Sequence, residues 1–221
     1  MIKKLLGQTW NNATLARIAM NSAIFEYTKK NNVKGATIDL GSKSGDASHN
    51  RFMTKAKDCK ITYTDLHPQS DKVKKLDLEK HFGIQDEVYD TVLCFNVLEH
   101  LYDYKNAVTE SYRILKKGGV FIEATPFLVH YHPDPNDYFR YTDSAIEKIF
   151  TGAGFAKEEI TPLGLGPITS GNYSVIMLMP RILRLPSLVI AIICDKFLNL
   201  ITRNRHSGAK YPLMYFFVFK K

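Results

Sequence analysis

The chain has 221 residues, of which 45% are apolar and 24% are charged, and its formal net charge is +8. This length and apolar content allow one full core. No Pro/Ser-rich linker or internal repeat divides the chain, so we expect a single domain over residues 1–221. Its 3 cysteines are widely scattered, which excludes a disulfide framework and a zinc spacing and favours a reducing cytoplasm.

The N-terminal segment begins with the basic residues typical of a signal peptide. Polar residues at 7–12 follow at once, so no apolar export segment forms. Residues 12–30 then read as a helix. We predict that residues 1–32 form a helical cover, placed over the sheet edge or over a ligand.

A glycine-bearing turn follows in the segment 36–46, ATIDLGSKSGD, where an apolar run ends in an acid. Gly41 can adopt backbone angles barred to other residues, and Gly45 has no side chain to hold a ligand away from a helix N-terminus. Twenty residues later a second run ends at Asp65, whose carboxylate can accept hydrogen bonds from both hydroxyls of a ribose. This order predicts a site for a nucleoside cofactor.

A dinucleotide fingerprint needs G-x-G-x-x-G, and the turn offers only two glycines four residues apart, so a dehydrogenase is the weaker alternative. The turn resembles instead the first motif of the class I S-adenosylmethionine-dependent methyltransferases, acid-x-Gly-x-Gly-x-Gly. Asp39, Gly41 and Gly45 match that motif, while Lys43 stands where the family usually has its middle glycine. The resemblance implies S-adenosyl-L-methionine as cofactor, and Lys43 leaves a non-catalytic cofactor-binding protein open as an alternative.

The resemblance continues in order along the chain. Asp77 corresponds to the acidic site that receives the adenine amino group, and Asn96 and Leu98, after the fourth strand, are expected to line the cofactor pocket. A helix expected to end at Gly118-Gly119 precedes a fifth strand at 120–124, and residues 211–219 resemble the family's last strand. The implied fold is α/β and Rossmann-like, with a mostly parallel seven-stranded sheet, an antiparallel last strand and helices on both faces.

The segment 96–100, NVLEH, is the first candidate for the chemistry. It lacks the Asn/Asp-Pro-Pro-aromatic run with which amino-methylating nucleic-acid enzymes grip a base, so we expect no nucleic acid as partner. Glu99 and His100 could also simply cap the next helix or pair with each other.

The loop at 126–142, PFLVHYHPDPNDYFRYT, is the second candidate, since it is dense in aromatic, acidic and basic residues. It resembles a His-x-x-Pro-x-Asp-Tyr-x-Arg-Tyr-Thr segment of bacterial methyltransferases associated with surface-polysaccharide pathways, which implies a glycan acceptor. His132 is our first choice for a general base and His100 the second. The expected substrate-binding residues are Tyr131, Asp137, Tyr138, Arg140 and Tyr141.

Two alternatives apply to this loop. Asp137, Arg140 and Thr142 could bond internally to shape the loop, with Thr142 as N-cap of a helix from residue 143. A metal site from His130, His132 and Asp134 is disfavoured, because alternate residues of an irregular loop rarely converge, and we predict no metal.

A basic, apolar insertion is predicted at about 163–210, before the last strand. From Arg181 onward the chain has eight basic residues and one acid, Asp195. This segment therefore contributes +7 of the formal net charge of +8. The apolar run at 188–194 is too short to span a bilayer, and Asp195 and Lys196 interrupt its apolar extension. We predict a helix over 188–201. Such a helix can lie at an anionic membrane surface, pack on the core with a solvated rim, or form a dimer interface.

Together these features predict an S-adenosylmethionine-dependent methyltransferase that O-methylates a sugar, a glycan or a related small-molecule or lipid-linked acceptor. We expect a cytoplasmic protein with peripheral contact at the inner face of an anionic membrane, and we leave its oligomeric state open. A membrane-surface adaptor with a methyltransferase-like fold is the remaining alternative.

Overall fold

The computed structural model describes residues 14–203 and 205–221, and its centre is one sheet of seven strands. The strands are β1 (Ala36–Leu40), β2 (Lys60–Asp65), β3 (Val73–Lys75), β4 (Tyr89–Phe95), β5 (Leu115–Pro126), β6 (Ala156–Leu163) and β7 (Met214–Lys220). Their order is β3-β2-β1-β4-β5-β7-β6. The five strands β1 to β5 pair with one another in parallel, and β7 is antiparallel to both of its neighbours, β5 and β6. The predicted fold class is confirmed.

Helices cover the sheet: α1 (Leu15–Lys30), α2 (Tyr104–Ile114), α3 (Asp143–Gly152), α4 (Pro167–Val175) and α5 (Arg181–Ile201). The predicted cap of α3 is confirmed, because Thr142 Oγ1 accepts a hydrogen bond from Ala145 N at 3.2 Å. The predicted N-terminal helix begins at Leu15. Residues 1–13, with the basic start discussed above, lie outside the described residues.

Strand β7 shows how both faces of the sheet are buried. Its alternate side chains Phe217 and Phe219 join one apolar cluster with α2 and α3, while Phe216 and Val218 join a second cluster with α1. Helix α1 packs there through buried side chains four residues apart, which include Met20 and Ile24. It therefore covers a face of the sheet rather than its edge.

The glycine pair Gly118-Gly119 lies inside β5, so the prediction that it ends the preceding helix is wrong. Helix α2 ends at Ile114, and β5 begins at the next residue. The register with β4 shifts in this region, between Tyr89 and Thr91. An irregularity of this kind accommodates glycines within a strand, and Gly118 has a φ of +79°.

The predicted insertion forms the pair α4 and α5 between β6 and β7. Helix α5 runs over 21 residues, so it contains the predicted helix 188–201 and extends it at the N-terminal end to Arg181. Asp195 is only 1% exposed. Its carboxylate accepts hydrogen bonds from Ile168 N at 3.0 Å and Thr169 N at 2.7 Å, in the first turn of α4. Among the described residues, no helix combines the length and hydropathy that crossing a membrane requires.

We expect Asp195→Ala to lower the free energy of unfolding by about 1–3 kcal/mol, because it removes the acceptors of two N–H groups of α4, one buried and one partly buried. Urea denaturation followed by circular dichroism measures this change. Asp195→Asn keeps one acceptor oxygen, so it should lower the free energy of unfolding by less. Asp71→Ala, at an exposed position, serves as the control. Equal stability of Asp195→Ala and the control would contradict the capping role.

Candidate active site

The glycine turn after β1 stands at the carboxyl edge of the parallel strands. Gly41 has a φ of +71°, and a Cβ built there would lie 2.5 Å from Val97 Cγ2, so both backbone conformation and space require glycine. Asp39 lies beneath the turn, fully buried, with Oδ2 2.9 Å from His49 Nε2. Its Oδ1 has no hydrogen-bond partner within the described ranges. Asp39 and Gly45 shape the turn, and neither lines the two cavities described next.

The first cavity, of about 320 Å³, brings together four of the predicted cofactor residues: Gly41, Asp65, Asp77 and Asn96. The Asp65 carboxylate accepts hydrogen bonds from Lys43 N at 3.0 Å and from His67 N at 2.8 Å. Each oxygen keeps a further lone pair for a ligand.

Leu98, which was predicted to line this pocket, lies in the apolar core instead. The chain enters a short 3-10 turn, Leu98–His100, immediately after Val97. This turn directs Leu98 inward and leaves Val97 on the cavity wall.

Lys43 links the glycine turn to the loop after β5. Its Nζ forms an ion pair with the carboxylate of Asp134, and both side chains are about half exposed. Both residues line the first cavity and also a second, adjoining one. The lysine that departs from the family motif is therefore neutralised by an acid from the other loop.

The second cavity, of about 800 Å³, lies between the glycine turn, the start of α1, the loop after β5 and α4. His100 and His132 line it, as do Arg17 and Tyr173, which were not predicted. Tyr173 stacks on the ring of His130 with 6.3 Å between centroids. Burial lowers the pKa of Arg17, and the nearby charge of Glu99 opposes this shift.

Glu99 lies beside two histidines of this cavity, His100 and His132, although it lines neither cavity itself. Its carboxylate is fully buried, and neither oxygen is within hydrogen-bond distance of a donor among residues 14–203 and 205–221. Glu99 Oε1 lies 3.7 Å from His100 Nε2 and 3.8 Å from His132 Nε2. The Nδ1 atoms of these two histidines contact backbone carbonyls, of Asn136 and His130 respectively. Since a carbonyl only accepts, each Nδ1 carries a hydrogen and each Nε2 faces Glu99.

This arrangement makes His132 a stronger base than an ordinary histidine. Interaction with the Glu99 carboxylate raises the pKa of His132, and partial burial of the ring acts in the opposite direction. The ligand atoms of Glu99, His100 and His132 lie within 4.8 Å of one another, close enough to surround a small cation as well. The set His130, His132 and Asp134 does not provide such a group, because Asp134 pairs with Lys43.

Three of the predicted substrate-binding residues shape the loop instead, and they line neither cavity. The buried carboxylate of Asp137 accepts hydrogen bonds from Arg140 Nη2 at 2.6 Å and from His132 N at 2.9 Å. Arg140 lowers the pKa of Asp137 to about 2, so this carboxylate stays ionised and holds the His132 backbone. The Tyr141 hydroxyl donates to Leu98 O at 3.1 Å.

The other two predicted substrate-binding residues, Tyr131 and Tyr138, lie in different surroundings. Tyr131 is 71% exposed and lines neither cavity. Tyr138 lines the first cavity, beside the predicted cofactor residues, and its backbone N–H donates to Glu99 O at 2.8 Å.

Comparison with known proteins agrees with this geometry. Residues 38–122, from β1 into β5, match the family model described as "Methyltransferase domain". A 50-residue segment is 40% identical to a probable S-adenosylmethionine-dependent methyltransferase of Mycolicibacterium smegmatis. That segment is 23% of this chain, and it spans only 20% of the length of that relative.

Two solved structures show the same fold. A SAM-dependent methyltransferase from Archaeoglobus fulgidus superposes with a TM-score of 0.60 at 13% identity, covering 99% of each chain. Phosphoethanolamine N-methyltransferase 2 from Haemonchus contortus, solved with S-adenosyl-L-methionine, superposes with a TM-score of 0.56 at 14% identity, covering 91% of this chain and 52% of that one.

Residues 38–122 are thus similar to a methyltransferase domain. The fold of the whole chain is that of S-adenosylmethionine-dependent methyltransferases, which confirms the predicted fold and favours a methyltransferase over the dehydrogenase alternative. The order of motifs along the sequence predicted that Gly41, Asp65 and Asp77 meet at one edge of the sheet, and all three line the first cavity. Arg17 and Tyr173 escaped prediction because they lie far along the chain from that edge and no local motif marks them.

Proposed function

We propose that the protein transfers a methyl group from S-adenosyl-L-methionine to a hydroxyl oxygen of a sugar, glycan or lipid-linked acceptor. The observation that carries this proposal is the convergence of His100 and His132 on the buried carboxylate of Glu99. The two histidines line a cavity that adjoins the one beside the glycine turn.

The first cavity fits an adenosine moiety. Asp65 offers free lone pairs to a ribose diol, Asp77 can accept from the adenine amino group, and Gly41 lets the backbone approach closely. When bound, S-adenosyl-L-methionine supplies an electrophilic methyl group on a positively charged sulfur. Asp134 offsets the charge of Lys43 near that cation.

His132 provides the base that a hydroxyl acceptor requires. Its Nε2 takes the proton of the acceptor oxygen, and the Glu99 carboxylate stabilises the imidazolium that results. His100 faces the same carboxylate and is the second candidate for this role. The Asp137–Arg140 ion pair positions His132 through its backbone N–H.

The acceptor class follows from the second cavity. Its size suits a sugar unit, and Tyr173 and His130 provide ring faces that can stack on a sugar. Arg17 adds a donor for hydroxyl or phosphate oxygens. The likeness of the 126–142 loop to the loop of surface-polysaccharide methyltransferases supports the same class.

The cofactor site predicts a loss of affinity in Asp65→Ala. We expect binding of S-adenosylhomocysteine to weaken by about 1.5–3 kcal/mol, the usual range for a lost hydrogen bond to a charged group. Isothermal titration calorimetry measures the change. Asp71→Ala is the matched control, and unchanged affinity in Asp65→Ala would remove Asp65 from the site.

The ion pair between Lys43 and Asp134 predicts a charge-dependent effect. Asp134→Asn leaves the lysine unpaired, so it should weaken binding of the cationic S-adenosylmethionine about threefold or more relative to the neutral S-adenosylhomocysteine. Lys43→Gly should abolish this discrimination, and it suits the turn because Lys43 has a φ of +45°. Equal effects of Asp134→Asn on both ligands would show that Lys43 does not sense the charge at sulfur.

The base assignment predicts a particular pH profile. Because the pKa of His132 is raised, wild-type kcat/KM should climb with pH to a plateau reached above the ordinary titration range of histidine. Glu99→Gln should move this midpoint to lower pH, since it removes the charge that raises the pKa. His132→Ala should reduce kcat by about 10²–10⁴-fold while binding of S-adenosylhomocysteine stays intact.

Labelled-methyl transfer to extracted glycans or lipids provides the assay, with product identified by mass spectrometry. The base role would be contradicted if kcat/KM did not change with pH and His132→Ala reduced kcat only slightly. Loss of activity with EDTA and recovery with a divalent metal would instead assign Glu99, His100 and His132 to a cation. Binding of S-adenosylmethionine without turnover on any extract would favour the non-catalytic alternative.

A further inference from the structure

Helix α5 exposes an apolar face to solvent. The side chains of Ile182, Ile193, Phe197 and Leu200 are 80%, 59%, 63% and 76% exposed. Their spacing along the helix places them on one side, together with Val189. Monomeric proteins rarely leave so many large apolar side chains together in water, so this face has an occupant.

The opposite side of α5 is packed against the protein. Leu188, Ala191 and Asp195 are buried there, and Asp195 binds the first turn of α4. The one acid of this segment therefore faces inward. As a result, the exposed face carries no negative charge.

Basic side chains flank this apolar face. Arg181 stands at the start of α5, Lys196 is exposed within it, and Arg203 and Arg205 are exposed just after its end. On a helical projection, Lys196 lies at the edge of the apolar face rather than within it. The surface therefore combines an apolar centre with a positively charged border.

We propose that the outer face of α5 docks on an anionic lipid bilayer, with the helix lying parallel to the membrane plane. An apolar face enters the boundary between headgroups and acyl chains, and the basic border contacts anionic headgroups. A second copy of the chain fits less well, because a two-fold contact would repeat this acid-free, positively charged border without an acidic partner.

The docking surface also bears on the acceptor. Helix α4 packs against α5, and Tyr173 of α4 lines the second cavity. One helix therefore separates the acceptor cavity from the bilayer. This inference about the acceptor rests on the proposed function. If the protein methylates an acceptor in the second cavity, that acceptor is lipid-linked and is presented at the membrane surface.

Vesicle co-sedimentation of the full chain tests the docking. We expect binding to phosphatidylglycerol-containing vesicles, poor binding to phosphatidylcholine vesicles, and release by high salt. The double variant Ile193→Glu/Phe197→Glu should weaken binding about tenfold or more, and so should Arg203→Glu/Arg205→Glu.

Matched variants separate docking from general charge. Thr109→Glu/Ser144→Glu adds the same charge as the apolar-face variant, and Lys29→Glu/Lys30→Glu reverses two exposed lysines on α1. Both should bind vesicles like wild type. All variants should retain S-adenosylhomocysteine affinity, which establishes folding and keeps this test separate from that of methyl transfer.

Two results would overturn the proposal. One is a wild-type protein that is monomeric and indifferent to anionic vesicles. The other is a wild-type dimer that Ile193→Glu/Phe197→Glu dissociates, as measured by sedimentation velocity, because that result would assign the face to a second copy.

Discussion

The active site is organised around a carboxylate that has been removed from water. A fully buried carboxyl group such as that of Glu99, with no hydrogen-bond donor in range among the described residues, is costly unless its surroundings compensate it. Two imidazoles face it directly, and Arg17 and Arg140 lie near enough for their charges to interact with it. These groups come from α1, from the turn after β4 and from the loop after β5. Groups that can compensate this one buried side chain thus come from three segments that are distant in sequence.

The sequence predicted best what depends on local order. Glycine at a turn, an acid at a strand end and a threonine before a helix each follow from short-range sterics and hydrogen bonding, and Gly41, Asp65 and Thr142 lie as expected. Long-range partners were harder to predict. The sequence left two roles open for Asp137 and Arg140, substrate binding or bonding within the loop, and the folded loop shows that they bind each other and support His132. Arg17 enters the site through the packing of α1 on the sheet, which no motif records.

The role of Asp195 in α5 likewise depends on a partner that is distant in sequence. In the linear sequence Asp195 interrupts an apolar run, whereas on a helix it points away from the exposed side chains and toward α4. Helical periodicity therefore converts an apparent break into a continuous outer face. The acid stabilises α4, and its inward position leaves the outer face free of negative charge.

The ion pair between Lys43 and Asp134 has a thermodynamic consequence. Because each partner lines both cavities, a ligand in either cavity meets the same two side chains. A ligand that separates the pair in one cavity changes the charge presented to the other, so the affinities of the two ligands are linked. Linkage of this kind is reciprocal: whatever factor the acceptor imposes on cofactor affinity, the cofactor imposes on acceptor affinity. Under the proposed function, the lysine at the position of a motif glycine would thereby couple the binding of the cofactor to the binding of the acceptor.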